Sequence, residues 1–171
     1  MAGIPIASAD VWDLARRCSI VQGEVAAADL PRLAEQLADA AGALRFRLTG
    51  LTDDLGRPAG RLELDGAVRV ICDRCGEALE VPIAERAQFY FVATEEELDR
   101  LPIDDAPAEP LLGSPRFDLA ALVEEQAILA LPISPRHVEC ALPADAAAGP
   151  APEGETHRPF EKLAVLRKPG H

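Results

Sequence analysis

Residues 44–91 read LRFRLTGLTDDLGRPAGRLELDGAVRVICDRCGEALEVPIAERAQFYF, and their hydrophobic period decides the fold. Leu44, Phe46 and Leu48 alternate with Arg45, Arg47 and Thr49, the period of two that a strand shows when one face is buried and the other solvated. Leu62, Leu64, Val68, Val70 and Cys72 continue the alternation in a second strand. Gly66 interrupts it as an expected bulge or bend, with a tight turn at Asp65 and Gly66 as the competing reading. Beyond the CDRCG turn, Leu79, Val81, Ile83, Ala87, Phe89 and Phe91 describe a third long strand. Three strands joined in this order predict an antiparallel meander.

The flanks add helices. Asp29 is placed to cap a helix whose apolar stripe runs Leu30, Leu33, Ala34, Leu37, Ala38 and Ala41, with Gly42 to end it. Asp118 caps a second helix, with Phe117 and Leu122 as a hydrophobic staple, Leu119, Val123, Ala127, Ile128 and Leu129 apolar on most sides, and Pro132 as the stop. Such a helix is expected to be buried on the sheet. Cys18, Ile20 and Val21 before Gly23 read as a short first strand, with Cys18 a small buried residue. Thr94 and Glu97 form a capping box for a short helix ending near Leu101, followed by a Pro-rich, irregular stretch. The fold class is therefore α+β: an antiparallel β-sheet meander with two main helices packed on it.

The 171 residues suffice for one ordinary core. The expected organisation is a single domain over 1–140, a flexible Ala/Pro linker over 141–158 and a short amphipathic C-terminal helix over 159–171, where Phe160, Leu163, Ala164 and Leu166 share a face. Hydrophobic residues make up 49% and charged ones 27%, a globular composition. No run approaches the roughly eighteen apolar residues that span a bilayer, and the N-terminus lacks the order of a secretory signal. A cytoplasmic protein without membrane contact is expected.

The net charge of -12, from 29 acidic and 17 basic side chains, opposes general affinity for a phosphate backbone. Glu95, Glu96, Glu97, Asp99, Asp104, Asp105 and Glu109, against Arg100 alone, carry half of that excess. The segment is either a solvated loop or an attachment surface for a basic protein. Arg45, Arg47, Arg69 and Arg74 are the candidates for a local basic face that the overall charge conceals. With one Tyr, one Trp and five Phe, base stacking is not indicated; Phe89, Tyr90 and Phe91 fit core packing in a strand better.

One motif carries chemistry. Cys72 and Cys75 sit on a tight turn, where two thiolates three residues apart can grip one metal ion and Gly76 can take the positive φ the turn needs. His137 and Cys140 supply a second half, completing a three-sulfur, one-nitrogen set suited to structural zinc. The halves are about sixty residues apart, so spacing alone does not bring them together. The alternatives are cysteines packed as small apolar groups with His137 on a loop carbonyl, or a Cys72–Cys75 redox pair. The redox arrangement usually opens a helix, whereas here a strand follows. No catalytic constellation appears: His157 lies in the linker, His171 is terminal, Glu124 and Glu125 read as a solvated helix face, and there is no phosphate-cradling glycine loop or small-molecule site.

Three segments, CDRCGEALEVPI (72–83), FDLAALVEEQAILALPISPRHVEC (117–140) and RPFEKLAVLRK (158–168), resemble the YceD family in order and spacing. The resemblance implies a non-enzymatic role in ribosome biogenesis, the accumulation of large-subunit 23S ribosomal RNA through its synthesis or processing. The acidic segment, taken with that role, points to a protein partner such as a basic ribosomal protein or an RNA-processing factor. The readings from other classes are a zinc-stabilised protein–protein adaptor unrelated to ribosomes, and a CxxC thiol redox protein.

Overall fold

A computed structural model describes residues 8–102 and 108–142. The unit Met1–Cys140 is treated below; of the unit Ala141–His171 only Ala141 and Leu142 are described. The expected linker over 141–158 and helix over 159–171 therefore lie almost wholly outside the described residues, as do Asp104, Asp105, His157 and His171.

The elements run α1 (Val11–Arg16), β1 (Ile20–Ala26), a 3-10 turn (Ala27–Asp29), α2 (Pro31–Ala34), β2 (Leu37–Thr52), β3 (Pro58–Ile71), β4 (Ala78–Val92), α3 (Glu95–Asp99), β5 (Glu109–Leu112) and α4 (Leu119–Ala130). They build an α+β protein around one five-stranded sheet in the order β1-β2-β3-β4-β5. The first four strands are antiparallel neighbours. β5 runs parallel to β4, Phe89 opposite Glu109 and Val92 opposite Leu112, so the sheet is mixed and not the antiparallel meander expected. The stretch read as irregular holds this fifth strand because β4 offers an unpaired edge, not because Glu109–Leu112 favours extension by itself.

The long hairpin of β2 and β3 turns at Asp53. Its carboxylate accepts from the N–H groups of Leu55 at 3.0 Å and Arg57 at 2.7 Å, and from the Arg57 guanidinium at 2.6 Å. Burial pushes the Asp53 carboxyl up, but the bonds from Arg57 and Leu55 outweigh it and hold the pKa below its ordinary value. Arg57 also lies 3.5 Å over the Tyr90 ring, tying the turn to β4.

The alternation read from the sequence holds along β2, β3 and β4. Leu44, Leu48, Leu62, Leu64 and Phe89 are at most 1% exposed and pack with Leu119, Leu122, Val123 and Ala127 of α4 in the main core. On the opposite face Tyr90, Val92 and Ala59 form a smaller cluster with Leu98 and Leu101 around α3. Phe89, Tyr90 and Phe91 are all buried, as core residues of a strand should be.

Several expectations are corrected. The helix expected from Asp29 to Gly42 is only the one turn of α2. Leu30 and Leu33 are buried as the stripe required, at 1% and 0% exposure, but Leu37 already pairs with Val70 in β2. The Ala-rich run 38–41 has too little side chain to declare a period, and pairing with β3 overrides its helix propensity. Gly42 has a φ of +118, used where the β2–β3 register shifts between Leu37 and Gly42 and not as a helix cap. One main helix, α4, therefore packs on the sheet instead of two. Gly66 makes neither bulge nor turn: it pairs with Leu44 and Ile83 in unbroken local register. A Cβ there would lie 2.5 Å from the Ala43 oxygen, so close approach of strands is what calls for glycine. Cys18 is exposed in the turn before β1 with a φ of +48, and Leu129 of α4 is 65% exposed.

Glu124 is the largest departure at a single side chain. Read as solvated, it is 6% exposed and accepts from the backbone N–H groups of Arg32 at 2.6 Å and Leu33 at 3.2 Å. It thereby caps the N-terminal turn of α2, which has no cap of its own. Glu125 instead makes a half-exposed ion pair with Arg32. Glu124→Ala is expected to cost about 1–3 kcal/mol by leaving buried donors unpaired, and Glu125→Ala at most about 1 kcal/mol. Urea unfolding of the two variants measures the difference, and equal losses would contradict the capping role.

Candidate metal centre

The Cys72 turn closes β3 onto β4. Gly76 donates its N–H to the Cys72 carbonyl at 2.9 Å, Cys72 donates to the Glu77 carbonyl at 2.8 Å, and Gly76 takes a φ of +77, open to glycine without strain. This tight loop turns backbone N–H groups toward the first sulfur, with Arg74 N 3.4 Å from Cys72 Sγ.

The chain leaving α4 comes back across this turn. Leu131 N–H bonds the Ile128 carbonyl to finish the helix, and Asp73 N–H reaches the Pro135 carbonyl at 2.9 Å. Ser134 Oγ donates to Asp73 Oδ2 at 2.7 Å, and Arg74 Nη1 to the Cys140 carbonyl at 3.3 Å. The sequence reading did not single out Asp73 and Ser134. Residues 61 apart leave no local signal of their pairing.

Those contacts bring the two halves of the expected ligand set together. Cys75 Sγ lies 3.3 Å from His137 Nδ1 and Cys72 Sγ lies 3.8 Å from Cys140 Sγ. The ligand atoms of Cys72, Cys75, His137 and Cys140 all fall within 4.8 Å of one another. Ligand edges of a tetrahedral zinc site with bonds of about 2.3 Å to sulfur and 2.0 Å to nitrogen are about 3.5–3.8 Å long. The two short separations fit such a set, and the widest possible pair has to close by about 1 Å.

Electrostatics favour a thiolate in this place. Burial pushes the Cys72 thiol up, but the N–H groups of Cys75, His137 and Arg74 and the Cys75 side chain outweigh it, bringing its pKa from 9.0 down to about 5. Burial raises the Cys140 thiol, with the neighbouring Cys72 and Cys75 sulfurs raising it further. Three sulfurs crowded against one another gain from a shared cation, and sulfur with imidazole suits zinc. The Cys72–Cys75 pair lies between two strands, without the helix N-terminus that activates redox pairs of this spacing.

The candidate basic residues do not form one face. On the open side of the sheet Arg45 stands between Glu24 and Asp65, and Arg47 between Gln22 and Glu63. Arg69 pairs with Asp39 at 2.6 Å, and Arg74 leans on Cys140. Two shallow concavities on this open side, of about 460 and 520 Å³, are lined by these alternating charges together with Arg86. Glu95, Glu96, Glu97 and Asp99 of α3 are exposed. Thr94 accepts from the Glu97 N–H at 3.2 Å as the expected box requires, while the Glu97 carboxylate accepts from Ala93, one residue before the cap.

Fold and cluster together define a class: a small α+β protein with a three-cysteine, one-histidine cluster at the end of its β3–β4 hairpin. Residues 60–167 match the family described as large ribosomal RNA subunit accumulation protein YceD, and the chain belongs to that family. The matched span contains all four clustered side chains. No curated protein and no solved structure matches the chain. Among the described residues no helix is long and apolar enough to cross a membrane.

Proposed function

We propose that this chain is a non-enzymatic ribosome biogenesis factor that supports accumulation of large-subunit 23S ribosomal RNA in the cytoplasm. The observation that carries the reading is the family match over residues 60–167. Zinc held by Cys72, Cys75, His137 and Cys140 is its structural ion. When bound, it cross-links the β3–β4 turn to the chain beyond α4.

The factor works through protein contacts. Exposed Glu95, Glu96, Glu97 and Asp99 offer a basic ribosomal protein or processing factor a concentrated negative surface. The arginines of the open sheet face are interleaved with carboxylates and give RNA no continuous basic track. The same acidic helix supports a second reading, an adaptor for a basic protein unrelated to ribosomes.

A strain lacking the protein is expected to hold less mature large-subunit RNA relative to small-subunit RNA, measured by quantitative RNA analysis; an unchanged ratio would overturn the biogenesis reading. Changing Glu95, Glu96, Glu97 and Asp99 to the matching amides is expected to weaken capture of the partner without unfolding the domain. Rising salt should weaken it in the wild type. A pull-down that yields the same ribosomal partners from the amide variant would contradict the protein-contact mechanism, and one that yields only non-ribosomal partners would favour the adaptor.

A further inference from the structure

We propose that Cys72 and Cys140 form an oxidation site, at which a peroxide joins the two sulfurs in a disulfide that displaces zinc and takes over as the clamp. The inference rests on the zinc reading above and goes beyond it. The redox pair considered from the sequence was Cys72 with Cys75; the geometry points to a different one.

Cys72 Sγ and Cys140 Sγ are 3.8 Å apart although 68 residues separate them. A disulfide needs about 2.0 Å between sulfurs, so the pair has to close by a little under 2 Å. Cys140 belongs to the irregular chain after α4, free of helix and strand ladders, and its side chain and backbone can make that move. Cys75 is placed differently. Its sulfur lies 3.3 Å from His137 Nδ1, and a bond from it to Cys72 would stay within one turn and clamp nothing to the chain beyond α4, so it is the competing product that the test below separates.

Exposure sets the order of events. Cys72 is 1% exposed, whereas Cys140 is half-buried, as is Cys75, so of the proposed pair Cys140 meets peroxide first. The Cys140 thiolate attacks one peroxide oxygen, the O–O bond breaks, and the second oxygen leaves as water after taking a proton from solvent. The sulfur is left as a sulfenic acid. The Cys72 thiolate, 3.8 Å away in the starting structure, then attacks that sulfur. The S–S bond forms, the S–O bond breaks, and hydroxide takes a second proton and leaves as water. Two thiolates, one peroxide and two protons become one disulfide and two waters; each sulfur gives up one electron and the peroxide accepts both. Cys75 and His137 alone are too few ligands for a closed zinc site, so the ion departs. A dithiol reductant with added zinc restores the starting state.

The covalent bond links the same two segments as the metal, so the body stays clamped while the ion is exchanged for a disulfide. The test uses the full chain, with its zinc content measured before oxidation. Hydrogen peroxide is added in steps, released zinc is followed with a chromogenic chelator, free thiols are alkylated, and peptides are mapped by mass spectrometry. Zinc release in step with a Cys72–Cys140 cross-linked peptide is the expected result. Cys18→Ser should leave both unchanged, and Cys140→Ser should lose the cross-link. A Cys72–Cys75 cross-link as the main product, zinc retained under excess peroxide, or cross-links confined to Cys18 between chains would each overturn the proposal. If no zinc is found at the outset, the zinc reading fails by itself. The same mapping on metal-free protein then decides the thiol pairing, with Cys72–Cys140 supporting it and any other pairing refuting it.

Discussion

Cys75→Ser is expected to reduce bound zinc to background and to release residues 132–140 from the β3–β4 turn while the sheet stays folded. The magnitudes favour this outcome. Four hydrogen bonds join the segment to the turn besides the contacts among the ligand side chains, from Asp73 N–H, Ser134 Oγ, Arg74 Nη1 and, onto Cys72 Sγ, His137 N–H, each worth about 1 kcal/mol net. Ordering each residue costs about 1–2 kcal/mol, so four bonds cannot hold nine residues. The main core reaches only to Leu131 and does not depend on the segment. Free zinc at a thousand times its dissociation constant stabilises the folded state by about 4 kcal/mol, and the variant should lose a shift of that order on chemical unfolding. Hydrogen exchange over residues 132–140 should rise to the rate of free chain. Protection equal to the wild type would show that the hydrogen bonds suffice and the metal is not the clamp.

Gly50→Ala is expected to be the most damaging single methyl addition in the sheet. A Cβ at Gly50 would lie 2.1 Å from the Leu14 oxygen, 2.4 Å from the Leu14 carbonyl carbon and 2.8 Å from the Ala15 nitrogen. All three are backbone atoms, so no rotamer change relieves the contact and α1 must move off β2. That helix brings Val11, Leu14 and Ala15 into burial, and Gly50 N–H bonds the Ser19 carbonyl at 2.8 Å beside it. The expected loss is about 3 kcal/mol, the upper end for overpacking. Gly56→Ala is the control: its φ is +79 and nothing lies within 4 Å of the added atom, so only the left-handed backbone penalty of about 1–2 kcal/mol applies. Urea titration of the two variants compares them directly, and equal losses would contradict the packing of α1 on β2.

Much of the sheet is legible in the sequence for a definite reason. β2, β3 and β4 each bury one face and expose charges such as Arg45, Arg47 and Arg61 on the other, which writes a period of two into the chain. α4 is legible from its ends: Asp118 accepts from the Ala121 N–H at 3.0 Å as a cap should, and Pro132 follows. The start of β2 is not legible, because alanines at 38, 40 and 41 fit either period and only pairing decides. β5 is hidden because its state comes from the β4 edge beside it. α1 is not legible although Asp10 marks it, accepting from the Trp12 and Asp13 N–H groups at 3.0 and 3.1 Å; a helix of six residues is too short to show a stripe.

The site divides in the same way. All four clustered residues are readable because each half carries its own pair of ligand types. Their meeting is not readable, since it depends on the end of α4 arriving at the β3–β4 turn. Glu124 could not be separated from Glu125 without knowing that α2 lies against one and solvent against the other.

The measurement that tests the account most directly is elemental analysis of the wild-type chain purified from cells without chelators, joined to X-ray absorption at the zinc edge. The account predicts one zinc per chain in a shell of three sulfurs and one nitrogen, from Cys72, Cys75, Cys140 and His137. Zinc at background level, or a shell dominated by oxygen, would contradict it.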